Sequence, residues 1–135
     1  MKLDDKKKKA KTERWQAISE SAAKQSKRNY IPEVLTPLSF NDALKKAADL
    51  DLFLVPYENK EGMLSTKEAL NSIKSGMHIG ILIGAEGGFS EKEIEKASEF
   101  GKIISLGKRI LRCETAAICA LSMCMLYAEG ELLND

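Results

Sequence analysis

One histidine in 135 residues, and three cysteines with no Cys-x-x-Cys spacing, leave little from which to build a metal site. Cys113, Cys119 and Cys124 are odd in number, which argues against a disulfide framework and for a reducing, cytoplasmic setting. No apolar run is long enough to span a bilayer; the longest, Ala116 to Ala128, reads as a buried helix. The first thirty residues carry no apolar signal-peptide core. Neither a metal nor a membrane is therefore expected. Net charge is only +1, so overall electrostatics do not single out nucleic acid as a partner. No internal repeat, low-complexity tract or domain linker interrupts the chain.

What remains is ordinary for a globular protein: 44% hydrophobic and 30% charged residues, in a length that suits one domain with a proper core. That domain is expected to occupy 1–135, with 1–10 flexible. Lys6 to Lys9, Lys11 and Arg14 crowd the amino end. Such a run is a solvated helix flank, a frayed terminus or a phosphate contact.

Periodicity sets the elements. Lys11 to Gln25 has helical spacing, with Trp15, Ile18 and Ala22 on one face. Asn29 to Leu38 carries Pro32 and Pro37 and should be extended, with at most a short strand at Glu33 to Leu35. Ser39 to Asp49 returns to helix, burying Phe40, Ala43, Leu44 and Ala47. Asp51 to Pro56 is a buried strand, and Tyr57 to Met63 a loop. Ser65 and Glu68 read as a capping box for a helix to about Lys74, stopped by Gly76. A strand at Met77 to Gly84 leads to a helix from Ser90 to Phe100, stopped by Gly101. A third strand covers Lys102 to Leu106. The last helix, about Glu114 to Ala128, is apolar almost all round and needs cover from both the core and a partner surface. Strands alternating with helices give an α/β fold with a mostly parallel sheet flanked by helices.

The chain is organised around Ile79 to Ser90. Its first half is a β-branched strand; its second packs Gly84, Gly87 and Gly88 around Glu86; Ser90 and Glu93 then open a helix. Open α/β sheets bind ligands at such a strand–loop–helix junction, although the same glycines also serve a plain tight turn. Familiar motifs do not fit. Gly-x-Gly-x-x-Gly is absent, and no acid ends the next strand to hold a ribose. Gly101 to Lys108 spaces its glycines one residue too widely for a phosphate-binding loop and has Arg109 where Ser or Thr is required. His78, at the entry of a core strand, does not make a hydrolase triad, and Ser90 is a cap.

Two loops survive: Gly84 to Phe89 and Leu106 to Thr115. Each follows a core strand, so both emerge at the carboxyl edge. They offer flexible backbone, apolar Ile110 and Leu111, and the charged set Glu86, Arg109, Arg112 and Glu114. This combination suits a ligand with a flat apolar part and polar handles. An Arg112–Glu114 or Arg112–Glu86 ion pair that merely pins the loops is the plainer alternative.

Ile83-Gly84-Ala85-Glu86-Gly87-Gly88-Phe89-Ser90 and Leu106-Gly107-Lys108-Arg109-Ile110-Leu111-Arg112-Cys113-Glu114-Thr115-Ala116 together resemble the bacterial 16S ribosomal RNA (uridine-N3) methyltransferases of the SPOUT superfamily. Glu13-Arg14-Trp15-Gln16, Ala22-Ala23-Lys24-Gln25-Ser26 and Ile31-Pro32-Glu33 are also similar, so the likeness runs from about Lys11 to Leu132. Ala85 stands where the family usually has proline, and Cys113 where it usually has threonine. The resemblance implies a carboxyl-terminal trefoil knot, a homodimer, S-adenosylmethionine (SAM) as cofactor and 16S ribosomal RNA of the small subunit as substrate. It places Ile83, Gly84, Glu86, Gly87, Gly88, Leu106, Gly107, Ile110, Leu111, Thr115 and Ala116 at the cofactor, and Arg112 and Glu114 at the chemistry. A carboxylate against the sulfonium would favour the ground state over the transition state, so Glu86 is assigned to the loop or a polar handle. The family carries an amino-terminal PUA-like RNA-binding domain, and this chain begins after it. Cofactor binding is therefore expected of the chain alone, and efficient RNA methylation is not. The rival expectation is a non-catalytic RNA-binding or dimerisation module.

Overall fold

Asp4 starts the first helix, its carboxylate accepting from the Lys7 N–H at 2.8 Å. The computed structural model describes residues 4–57, 63–107 and 111–133, the last three as backbone. Helix α1 (Asp5–Gln25) thus begins six residues before the expected Lys11. Lys27 ends it in the left-handed region (φ 58), with the Arg28 N–H returning to the Ala23 carbonyl at 2.9 Å. The expected apolar face does not bury: Trp15 and Ile18 stay 41% and 56% exposed.

Glu33 to Leu35 is extended but is not a strand. Pro32 has no N–H to give a ladder, and a side chain takes the neighbouring strand's place. Gln16 Nε2 donates to the Pro32 carbonyl at 3.1 Å, and the Val34 N–H donates to Gln16 Oε1 at 2.7 Å. Ser19 Oγ adds a bond to the Pro32 carbonyl at 2.7 Å. One helix and one strap make up a first compact unit, Met1–Phe40; the second is Asn41–Asp135.

The second unit holds the sheet. After α2 (Phe40–Ala47), β1 (Leu52–Pro56) runs through the centre, with β2 (Ile79–Ile81) and β3 (Lys102–Ile104) parallel on either side. Leu52 pairs with Ile79, and Leu54 with both Ile81 and Lys102. Leu52 to Val55 are all buried, as a central parallel strand covered on both faces requires. Leu54 and Val55 are fully buried, each contributing on the order of 2 kcal/mol. The three expected strands are present, each shorter than the range expected for it.

Helix α3 (Met63–Asn71) starts two residues before Ser65, so Ser65 and Glu68 lie within the helix and are not its capping box. Met63 and Leu64 are good helix formers, and they carry the helix back past the serine. Its far end closes through short bonds from Ser72 N–H to the Ala69 carbonyl and from Ile73 N–H to the Leu70 carbonyl, before the expected Lys74. The expected loop at 57–63 lies largely outside the described residues. By contrast, α4 (Glu91–Ser98) has the capping box that its sequence shows: Ser90 Oγ accepts from Glu93 N–H at 3.1 Å, and Ser90 N–H donates to Glu93 Oε1 at 2.9 Å.

Gly101 has a different reason from a helix stop. A Cβ there would stand 2.5 Å from the Phe53 ring and 2.6 Å from the Phe53 carbonyl oxygen. The glycine lets the entry to β3 lie against the central strand.

Helix α5 (Cys113–Leu133) extends beyond the expected Ala128, and Gly130 lies within it. Ala120 and Cys124 face inward, Cys124 joining Leu52, Leu54, Ala69, Leu70, Ile73 and Ile104 in the core. Burial pushes the Cys124 thiol up, as expected for an inert core cysteine. The opposite face is uncovered: Ile118, Leu121, Met125 and Leu126 are 66%, 56%, 46% and 69% exposed. None of the described helices is long and apolar enough to cross a membrane.

Candidate functional site

All three strands point the same way, so their exits share one edge. β1 delivers Pro56 and Tyr57, and the Tyr57 N–H donates to the Ile104 carbonyl at 2.8 Å. β2 is prolonged by the Leu82 N–H, which donates to the Leu54 carbonyl at 3.0 Å, before the chain enters the glycine loop. β3 delivers Ser105, Leu106 and Gly107. The start of α5 borders the same space. Between these pieces lies a cleft of about 670 Å³, within the range usual for small-molecule sites.

The glycine loop is both things that its sequence allowed. The Gly88 N–H donates to the Ala85 carbonyl at 2.7 Å, closing a tight turn, and Gly88 takes φ 74. The same turn forms a wall of the cleft. A Cβ on Gly87 or Gly88 would meet nothing within 4 Å, so bare main chain borders open space where a ligand can approach. Gly84 is closed off: its Cβ would stand 3.2 Å from the Phe89 ring, which folds back over it.

Of the residues named from the sequence, Ile83, Gly84, Glu86, Gly87, Gly88, Leu106, Gly107, Leu111, Arg112, Glu114 and Ala116 all line this cleft. Glu86, Arg112 and Glu114 are exposed at it, whereas Ile83, Leu106 and Leu111 are half-buried. Thr115 is exposed and does not line it. Ile110 lies outside the described residues, as does Arg109. Among the described residues, no group of three or more His, Cys, Asp or Glu is placed to hold a metal. His78 lies at the start of β2, away from the strands' carboxyl ends.

Among the described residues, Pro56, Tyr57, Ala85, Phe89, Ser105 and Cys113 also line the cleft. Ala85, Phe89 and Cys113 stand inside the quoted motifs. Pro56 and Tyr57 were legible in principle, since a parallel strand must end at the same edge as its neighbours.

A parallel sheet with a glycine-walled cleft at its carboxyl edge defines an α/β domain built to hold a small ligand. The chain belongs to the RNA methyltransferase domain family, whose pattern it matches over residues 1–125. It is 44% identical over 126 residues to Ribosomal RNA small subunit methyltransferase E of Bacillus subtilis (strain 168), a match covering 90% of this chain and 49% of that protein. A putative methyltransferase from Legionella pneumophila, solved with the bound cofactor SAM, is 32% identical with TM-score 0.81, over 95% of this chain and 51% of that one. A Ribosomal RNA small subunit methyltransferase E from Neisseria gonorrhoeae, solved bound to S-adenosyl methionine, is 31% identical with TM-score 0.69, over 89% and 48%. The chain spans about half the length of these relatives.

Proposed function

We propose that the chain is the catalytic domain of a SAM-dependent ribosomal RNA methyltransferase, and that it methylates N3 of a uridine in the 16S RNA of the small subunit. One observation carries this reading: the two loops that resemble the family's cofactor site border a single cleft, with bare glycine main chain on one wall. The donor set fits SAM. Ile83, Leu106 and Leu111 offer an apolar bed for a flat base, and the open main chain at Gly87 and Gly88 offers close approach. We assign Gly84, Glu86, Gly107, Ala116 and, from the resemblance, Ile110 to the same pocket.

When bound, SAM supplies a methyl group on a sulfonium. The chain's own part is positioning, from which much of the rate should come. Arg112 stands at the cleft, free to bind an RNA phosphate or a uracil oxygen that gains charge as the N3 proton leaves. Glu114, two residues further along and also at the cleft, orients Arg112 or accepts that proton. Glu86 holds the turn or a polar handle of the cofactor. In this reading the carboxyl-terminal segment threads the trefoil knot of the family, and a ribosomal substrate sets the work in the cytoplasm.

The uncovered face of α5 supports a homodimer. Ile118, Leu121, Met125 and Leu126 form one apolar stripe, the kind of surface that two-fold partners cover. Leu121→Glu should shift the sedimenting species at micromolar concentration from dimer to monomer, because it places a charge in the centre of that stripe. A monomeric unaltered chain would refute the dimer.

The pocket assignment has its own signature. Gly87→Ala should leave the ligand-free melting temperature within about 2 °C, since its Cβ meets open space. The same methyl group intrudes on a ligand lying against the main chain, so SAM affinity should fall about tenfold or more. Unchanged affinity would move the ligand away from this wall.

The reaction is tested with radiolabelled SAM, small ribosomal subunits and excess protein in a single turnover. Label recovered as 3-methyluridine is the expected result. The yield is expected to be low, because efficient methylation is not expected of the chain alone; label on another atom contradicts the assignment.

A further inference from the structure

Thr66 lies on α3, outside the cleft, and is fully buried. Its hydroxyl donates to the Ser105 carbonyl at 2.6 Å and accepts from the Ser105 N–H at 2.8 Å. One side chain therefore satisfies both main-chain groups of the residue that leaves β3, as a neighbouring strand would. Ser105 continues the chain of contacts. Its Oγ accepts from the Gly107 N–H at 3.2 Å and donates to the Gly107 carbonyl at 3.1 Å. Gly107 takes φ 114, which only glycine adopts without strain. Ser105, Leu106 and Gly107 then form part of the cleft wall.

We propose that Thr66 is a positioning residue for the ligand: it sets the path of 105–107 from beneath, and through it the shape of the cleft. This rests on the reading of the cleft as a SAM site. The hydroxyl is needed twice, as donor and as acceptor. Valine has nearly the same shape but leaves both Ser105 groups buried without a partner. The N–H and carbonyl must then turn to find partners, and the wall formed by the next two residues turns with them. Serine keeps both bonds and gives up one methyl group. A residue that only stabilised the core would lower the melting temperature in either variant without changing the affinity of molecules that are folded.

The test compares Thr66→Val and Thr66→Ser with the unaltered chain, by calorimetric titration with SAM at a temperature where all are folded. The expected result is a dissociation constant about tenfold or more higher for Thr66→Val and within about threefold for Thr66→Ser. A folded Thr66→Val that binds as tightly as the unaltered chain would overturn the proposal. A ligand-free measurement separates this from the cofactor reading. Amide exchange at Gly107 should be about tenfold faster in Thr66→Val and unchanged in Thr66→Ser. Equal exchange in all three overturns the coupling. Altered exchange in a chain that does not bind SAM keeps the coupling and removes the cofactor reading instead. If Thr66→Val does not fold, Ser105→Ala removes only the Oγ contacts to Gly107; it should also bind SAM about tenfold more weakly, and unchanged binding overturns the proposal.

Discussion

Arg112→Ala is expected to slow methyl transfer by about 10²–10³-fold while leaving the SAM dissociation constant within about twofold. The residue stands immediately before α5, exposed at the cleft, and its neighbour Leu111 is half-buried. A guanidinium beside the sulfonium would be repelled, so near the reacting methyl group Arg112 suits an anionic partner. In the proposed reaction uridine N3 would lose a proton, and the charge would spread to the flanking uracil oxygens. A planar two-pronged donor suits such an oxygen, or the phosphate beside it. Its interaction strengthens as charge develops, and so it acts on the rate more than on cofactor binding. Arg112→Lys keeps the charge but loses the fork, and should recover only part of the rate. Single-turnover transfer and calorimetry on the same preparations check both halves. An equal loss of SAM affinity and of rate would place Arg112 in the cofactor pocket instead.

Gly101→Ala should be the most damaging of the small substitutions, at about 3 kcal/mol and a melting temperature lower by roughly 10 °C. Two contacts decide this. The Phe53 ring is buried, and the Phe53 carbonyl belongs to β1. Moving it means moving the central strand against β2 and β3, or pulling the start of β3 outwards. Either change disturbs Leu54 and Ile104, both almost fully buried. Gly87→Ala is the matched control, because the same substitution there meets no atom within 4 Å. Thermal melts of both variants without ligand check the contrast. Similar melting temperatures would mean that the approach of Gly101 to Phe53 is looser than described.

The strands were legible because a two-sided parallel sheet demands continuous apolar runs, and Leu52 to Val55 and Ile79 to Leu82 are such runs. Their order was not. Nothing in the sequence says that β1 lies between β2 and β3; Tyr57 went unnamed although a parallel strand must end at the same edge as its neighbours. Ser90 with Glu93 was read correctly as a cap, whereas the same spacing at Ser65 with Glu68 was not one. A capping box says where a helix is able to start, and the propensity of the preceding residues decides whether it does. Gly101 was assigned to the right place for the wrong reason: the packing partner that needs it is nearly fifty residues away in sequence. The cleft itself was largely readable, since its walls are contiguous motifs. Ser105 and its anchor Thr66 were not, because a hydroxyl that pairs with a distant main chain leaves no local pattern.

The central claim is that this chain, by itself, holds SAM between its two loops. A thermal-shift series with SAM and with S-adenosylhomocysteine measures it directly. Ligand at a hundred times its dissociation constant stabilises the fold by about 2.7 kcal/mol, which raises the melting temperature by several degrees. A saturating rise of that size with both ligands, reduced in Gly87→Ala, is the expected result. A well-folded sample that shows no shift at millimolar concentrations of either ligand would contradict it.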